Sequence, residues 1–448
     1  MKRTSCLLAL AVLPALLHAR TVVRGTCDNN EGQTVTLCRC IDGHDESRAS
    51  SEVAADGTFS LSCDAIDEGY YVVVSPSKVR HAVYLRNGME MEVVLSEGVM
   101  KIVEGYPESL SSQLLWEEAV RKPLLHAAFH VSVPGASTVE SGEFCAEMSG
   151  LREVATRLLS HPKVSVADSL LALRVRADMA FAVIAYEAGH GIEQGGEAMV
   201  AGALSETESL FADSRFASLP FAADMLVAYV NLVAAGREIA RDDYVLRSQL
   251  LSRPILQESY LCKIAQGMRF YEHVTDLQQR VSDSGFSPYF QSCMEQAKER
   301  LAWSRPGQPA PAFKGMTPDG GELSLNQFRG KVVVIDVWAT WCVPCIKMMP
   351  HFKRLAAELN SPDVEFLSVC LGVSVEIDRW KQLIAKHQMK GNLIFIDSWT
   401  KGFAKDYKVS SVPRFIVIDR NGNIASYSAP APNTPRLKQL VVGLLNDK

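Results

Sequence analysis

Cys342 and Cys345 are the residues of this 448-residue chain whose type and spacing point most directly to chemistry. They lie in GKVVVIDVWATWCVPCIKMMP, residues 330–350, where an apolar, β-branched run of strand length gives way to apolar residues at helical spacing. The pair therefore falls on the first turn of a helix. Unpaired backbone N–H groups and the positive end of the helix dipole stabilise a thiolate there, which lowers a cysteine pKa. A cysteine so placed is a nucleophile.

The elements that must position this pair follow from the surrounding pattern. After a proline-rich linker, Ser304–Pro311 (SRPGQPAP), strands are predicted at 331–337, 364–370, 393–396, 414–419 and 424–427, with a turn at Asn421-Gly422. Helices are predicted at 343–359, 375–387 and 434–446. That order implies a mixed α/β sheet covered by helices on both faces.

The rest of the chain has a different texture. Lys2 and Arg3 precede an apolar stretch, Leu7–Leu17, that ends at Leu-His-Ala, so residues 1–19 read as a secretory signal peptide cut after Ala19. The apolar run is shorter than the ~20 residues a membrane span needs, and no later stretch is long and apolar enough, which predicts no stable membrane insertion. Residues 20–105 alternate in short runs (TVVRGT, QTVTLCRC, GTFSLSC, YYVVV, HAVYLR, MEVVL) between turn residues and predict a small antiparallel β-sandwich. Residues 106–303 lose Gly and Pro and gain apolar residues at intervals of three and four, predicting an all-helical domain. Ser165 and Ser218 are cap candidates there, with Asp168 completing a capping box after Ser165. The expected architecture is thus leader, β-sandwich (20–105), all-α domain (106–303) and α/β domain (304–448).

Eleven cysteines include Cys6 in the leader, and export makes disulfides permissible for the remainder. Cys27 with Cys63 is a plausible bridge; Cys38 and Cys40 share a strand face and do not bond each other. Core cysteines or a structural disulfide fit this region better than a Cys-Arg-Cys metal site. His126 and His130, four apart on a helix, lack the carboxylate partner of a metal motif. His190 ends a helix and offsets its dipole. Residues 304–448 carry 19 Lys+Arg against 12 Asp+Glu, leaving 27 against 39 in residues 1–303, so a basic C-terminal module follows an acidic front. No nucleophile-His-Asp arrangement, phosphate-binding glycine loop or basic aromatic stripe for nucleic acid is present.

Residues 306–448 resemble the thioredoxin-like thiol-disulfide oxidoreductases of the exported TlpA/ResA type. PGQPAPAF, the Asp319-Gly320 turn, GELSLNQFRGKVVVIDVWATWCVPC and SVPRFIVIDRNG occur in that family's order and spacing. The resemblance implies a thioredoxin-like fold in which Cys342 attacks a substrate disulfide and Cys345 resolves the mixed disulfide. Asp336 stands where the family places a buried acid; a carboxylate isolated from water is raised in pKa, which suits it to move the Cys345 proton. Pro413 matches the family's cis-proline and Val412 offers backbone to an extended substrate, with Trp341, Val343 and Pro344 as further contacts. Trp338 reads as core, and Pro350 as a proline inside the helix. No cofactor beyond the Cys342–Cys345 disulfide and no metal is implied. The implied partners are protein disulfides and a membrane thiol-transfer electron donor, in the periplasm or cell envelope.

Two departures stand out. Met348 occupies a position where many relatives carry Glu, leaving Asp336 as the acid, and Ser428-Ala429-Pro430 replaces a glycine near the substrate groove. Cys370 reads as a buried structural cysteine. Alternative readings are a disulfide oxidase or isomerase, a closed structural disulfide or half zinc site, a peroxidase (whose Pro-x-x-x-Thr-x-x-Cys run is not matched), and an envelope binding or scaffold module with an accessory redox domain.

Overall fold

The computed structural model describes residues 20–446 apart from 29, 97, 128–138, 161 and 193–195. The expected signal peptide, Cys6 and His130 lie outside the described residues. The chain divides into two compact units, Met1–Ile264 and Ala265–Lys448.

The first unit opens with strands β1 (Arg20–Cys27), β2 (Thr34–Ile41), β3 (His44–Glu52), β4 (Thr58–Asp64), β5 (Gly69–Val74), β6 (Arg80–Leu85), β7 (Glu90–Ser96) and β8 (Val99–Glu104). They form two four-stranded sheets, ordered β4-β1-β7-β8 and β3-β2-β5-β6. The pairing is not purely antiparallel as expected, because β1 runs parallel to β7 from Val22↔Glu90 to Cys27↔Leu95. Five strands separate the two in sequence, and that long return permits a parallel neighbour where a tight hairpin would not. The Cys27–Cys63 bridge is also corrected. Register places Cys63 opposite Thr21 and leaves Cys27 at the far end of β1, and both are free thiols. Cys38 and Cys40 are free and buried on β2.

Helices follow: α1 (Ser111–Ala127), α2 (Ser141–Leu159), α3 (Val166–His190), α4 (Glu197–Phe211), α5 (Ala222–Gly236), α6 (Tyr244–Ser248) and α7 (Pro254–Gly267). The Ser165 capping box forms as predicted, with the Asp168 amide donating to the Ser165 hydroxyl and the Asp168 carboxylate accepting from the Ser165 amide. Ser218 instead closes a short 3₁₀ turn, and Phe221 precedes α5. Ser165→Ala removes one half of the box and is expected to cost about 1 kcal/mol, read as a lower denaturation midpoint in helix circular dichroism. His126 pairs with Glu147 at 2.9 Å. His190 ends α3, stacked on Tyr186.

The second unit contains α8 (Tyr271–Arg280), α9 (Pro288–Arg300), β9 (Lys314–Met316), β10 (Glu322–Ser324), β11 (Val332–Trp338), α10 (Val343–Glu358), β12 (Val364–Gly372), α11 (Ile377–Lys386), β13 (Asn392–Asp397), α12 (Phe403–Asp406), β14 (Arg414–Ile418), β15 (Ile424–Ala429) and α13 (Pro435–Asn446). One seven-stranded sheet runs β10-β9-β13-β12-β11-β14-β15. Its interior strand β11 is buried along its whole length, as a strand between two helical layers requires. Val332 and Val334 pack with Phe352 and Leu355 of α10 and Leu437 and Val441 of α13. Val333, Ile335 and Val337 pack on the opposite face with Phe403, Ala404 and Tyr407. Each fully buried aliphatic side chain contributes roughly 1.5–3 kcal/mol, so β11 is the anchor of this layer.

The proline-rich stretch is not a free spacer. The Gly307 amide donates to Ile424, the Ala310 amide to Gly422, and Gln308 accepts from Ile424, which ties the segment to the β14–β15 hairpin. Proline has no amide to donate, but the intervening Gly307 and Ala310 do, and that is enough to make an edge pairing.

Candidate active site

Cys342 is the N-cap of α10, and Cys345 lies one turn further along. The two are joined in a disulfide with their Cα atoms 5.3 Å apart. The Cys345 amide donates to Cys342 Sγ at 3.2 Å, so an otherwise unpaired helix N–H points at that sulfur. Cys342 is only 3% exposed although it caps the start of α10. The flanking Trp341 and Val343 project outwards, with Trp341 55% exposed and its ring 5.8 Å from that of Trp399. The oxidised sulfur on the inner side of these two residues is shielded.

Val412 and Pro413 are joined by a cis peptide bond. Val412 packs against the apolar cluster that contains Cys342, Cys345, Trp338, Cys370 and Trp380. Pro344 and Pro413 line one groove of about 310 Å³ together with Lys347, Met348, Ser428 and Ala429. Residues far apart in sequence thus line one groove: Pro344 from the helix start, Pro413 from the turn before β14, Ser428 and Ala429 from β15.

Asp336 lies on β11, 2% exposed, at a cavity of about 250 Å³ that also includes Met349, Phe352, Ser368 and His387. Met349 belongs as well to the cluster around the two cysteines. Burial alone lifts the Asp336 carboxyl to about 7, since no ionic partner opposes it. Nearby Ser368 is committed to the indole N–H of Trp338, at 2.8 Å.

A second carboxylate was not legible in the sequence. Glu376, just before α11, accepts from the Thr340 hydroxyl at 2.7 Å and from the Val373 amide at 2.9 Å. It therefore fixes the turn that leads into Trp341 and Cys342. Cys370 is fully buried, and burial pushes its thiol well above the ordinary range. Among the described residues no group of three or more His, Cys, Asp or Glu side chains is arranged to hold a metal ion.

Residues 305–441 match the Redoxin family. The thioredoxin-like protein YneN of Bacillus subtilis is 32% identical over 118 residues, covering 26% of this chain and 68% of that protein. The thiol-disulfide oxidoreductase ResA of Oceanobacillus iheyensis is 33% identical over 150 residues, covering 32% of this chain and 72% of that protein. The chain belongs to the thioredoxin-like thiol-disulfide oxidoreductases of the ResA type. A putative thiol-disulfide oxidoreductase from Bacteroides vulgatus of known structure is 32% identical, covering 31% of this chain and 96% of that one, with a TM-score of 0.29. The chain spans about two thirds of the length of these ResA-type relatives, and residues 20–304 lie outside the family match. No helix among the described residues is long and apolar enough to cross a membrane.

Proposed function

We infer that the chain is an exported thiol-disulfide oxidoreductase that reduces disulfides in other proteins through Cys342 and Cys345. The observation that carries this reading is the disulfide across the first turn of α10, with the Cys345 amide on Cys342 Sγ and the Pro344–Pro413 groove alongside. In the reduced state the Cys342 thiolate attacks one sulfur of the substrate disulfide. A Cys342–substrate disulfide forms, and the departing substrate sulfur leaves as a thiolate that takes a proton from water. Asp336, as carboxylate, accepts the Cys345 proton, and the Cys345 thiolate attacks Cys342 Sγ. The substrate's second sulfur leaves with the electron pair, and Cys342–Cys345 is regenerated. Two electrons have passed to the substrate. They are restored by a thiol donor, for which a membrane thiol-transfer partner is the reading consistent with export.

Trp341, Val343, Pro344, Val412 and Pro413 form the substrate-facing set, with the Val412 backbone available to an extended segment. No cofactor beyond the redox disulfide is needed for this cycle. Export rests on the leader-like residues 1–19. The division into a β-sandwich (20–105), a helical domain (106–303) and the redox domain (304–448) accompanies this reading.

Cys345→Ser keeps the attacking sulfur and removes the resolving one. The variant is expected to accumulate a mixed disulfide on Cys342 with its protein substrates, visible as reductant-sensitive bands. No such adduct under conditions where the parent turns over would end the proposal. Direction is tested by the reduction potential of the pair: a value near about −120 mV, typical of a strong oxidant, would instead favour the oxidase reading. A second reading, a scaffold or binding module with an accessory redox domain, is favoured by the extent of residues 20–304 outside the family match. Capture of one dedicated partner rather than several distinguishes it.

A further inference from the structure

Helix α8 lies outside the family match, yet within the second unit it bonds to the groove wall. The pairing of β14 with β15 slips between Phe415↔Ala429 and Val417↔Ser426, so Tyr427 and Ser428 together oppose the single residue Ile416. A bulge of this kind bends the strand and takes backbone groups out of the ladder. Both are recovered by charged side chains. The Arg414 guanidinium donates to the Tyr427 carbonyl at 2.8 Å, and the Glu272 carboxylate accepts from the Ser428 amide at 2.6 Å. His273 reaches the Ser428 carbonyl at 3.4 Å.

The anchor continues around Arg414, the residue directly after Pro413. Its guanidinium stacks on Phe270 with 4.4 Å to the ring centroid and donates to the Lys408 carbonyl at 2.7 Å. Trp303 packs edge-on against Tyr427, and the Lys408 ammonium sits 3.9 Å over the Trp303 ring. Arg414, next to the cis-proline, and the bulge are therefore held in part by Phe270, Glu272, His273 and Trp303, all of which precede the family match.

Ser428 lines the same groove as Pro344 and Pro413. We propose that Glu272 is a positioning residue for substrate binding, holding the Tyr427–Ser428 bulge so that the groove wall faces Pro344 and Pro413 in the arrangement that accepts an extended disulfide-bearing segment. This rests on the reading that the groove receives substrate. The occupant is a peptide chain carrying a cystine, because the groove runs from Pro344, which stands between the two cysteines, to Pro413 and β15. The Glu272 carboxyl oxygen satisfies an amide that the bulge takes out of the ladder, and its removal leaves that amide without its partner.

The test uses the full chain as Glu272→Ala and Glu272→Gln, with a disulfide-linked peptide as substrate. Mispositioning of a binding wall is expected to raise KM about ten-fold in Glu272→Ala with kcat little changed. Glu272→Gln retains an oxygen acceptor for the Ser428 amide and is expected to recover most of that loss. The glutathione redox equilibrium of Cys342–Cys345 should match the parent in both. Hydrogen exchange at the Ser428 amide, which needs no turnover, should rise about ten-fold in Glu272→Ala alone. A parent-like KM and a still-protected Ser428 amide in Glu272→Ala overturn the proposal. So does a joint shift of KM, kcat and redox equilibrium, which marks general loosening. A parent protein inert towards peptide disulfides defeats the functional reading itself, and the exchange measurement then still decides whether Glu272 holds the bulge.

Discussion

Cys342→Ser is expected to reduce disulfide exchange by on the order of 10⁴-fold or more, equivalent to about 5.5 kcal/mol of transition-state stabilisation. The serine hydroxyl keeps the N-cap geometry of α10, since its oxygen can accept from the Cys345 amide where the sulfur does now. What is lost is the sulfur nucleophile: a hydroxyl is not ionised by a helix terminus near neutral pH and forms no disulfide. The helix should fold as before, so unfolding temperature and circular dichroism separate loss of chemistry from loss of structure. The contrast with Cys345→Ser is diagnostic. That variant retains the attack and stalls afterwards, whereas Cys342→Ser forms no adduct. Appreciable turnover by Cys342→Ser would move the nucleophile elsewhere.

The second large effect concerns Asp336. In the folded protein burial lifts its carboxyl to about 7, and in the unfolded chain the ordinary value is near 3.9. Below pH 4 both states hold the proton and the group contributes nothing to pH-dependent stability. Between about pH 4 and 7 the unfolded chain releases the proton while the folded one keeps it, so stability falls as pH rises. Above pH 7 the loss levels off at about 4 kcal/mol. Asp336→Asn removes that penalty. The variant should therefore match the parent's stability at pH 4 and exceed it at pH 8, a difference read from thermal unfolding at the two pH values. Catalysis should change in the opposite sense. Resolution of the mixed disulfide is expected to slow about 100-fold, the scale of a lost general base, and the inflection near pH 7 should vanish from the rate profile. A gain in stability at pH 8 with an unchanged pH–rate profile would place Asp336 outside the chemistry while leaving its burial intact.

The parts of the site that depend on local sequence were legible before the fold. A β-branched run followed by helical spacing located Cys342 and Cys345, and an acid within VVVIDVW read as buried, with a solvent-facing place on an edge strand as the alternative. The helices at 343–359, 375–387 and 434–446 and the strands of the sheet core were placed within two residues of their observed ends. Strands β9 and β10 were missed, being three residues each and held by pairing rather than by pattern. Glu376 was missed because nothing near Ile377 announces that its carboxylate meets Thr340, thirty-six positions earlier. The shielding of Cys342 depends on how the rim around Trp341 packs, and the failed Cys27–Cys63 bridge on a register that places Cys63 beside Thr21. Glu272 is a further case, since a carboxylate on an amphipathic helix reads as solvated until a strand bulge is found bonded to it.

The ties between Gly307, Gln308 and Ala310 and the β14–β15 hairpin bear on where this protein can be cut. A fragment begun at Arg305 would include the whole family match and both cysteines, and would look complete by sequence. It would lack Phe270, Glu272 and Trp303, so the Arg414 guanidinium, the Ser428 amide and the Tyr427 ring would face solvent in place of their partners. Such a fragment has the right chemistry mounted on a loosened wall. A fragment that keeps these partners must begin ahead of Phe270.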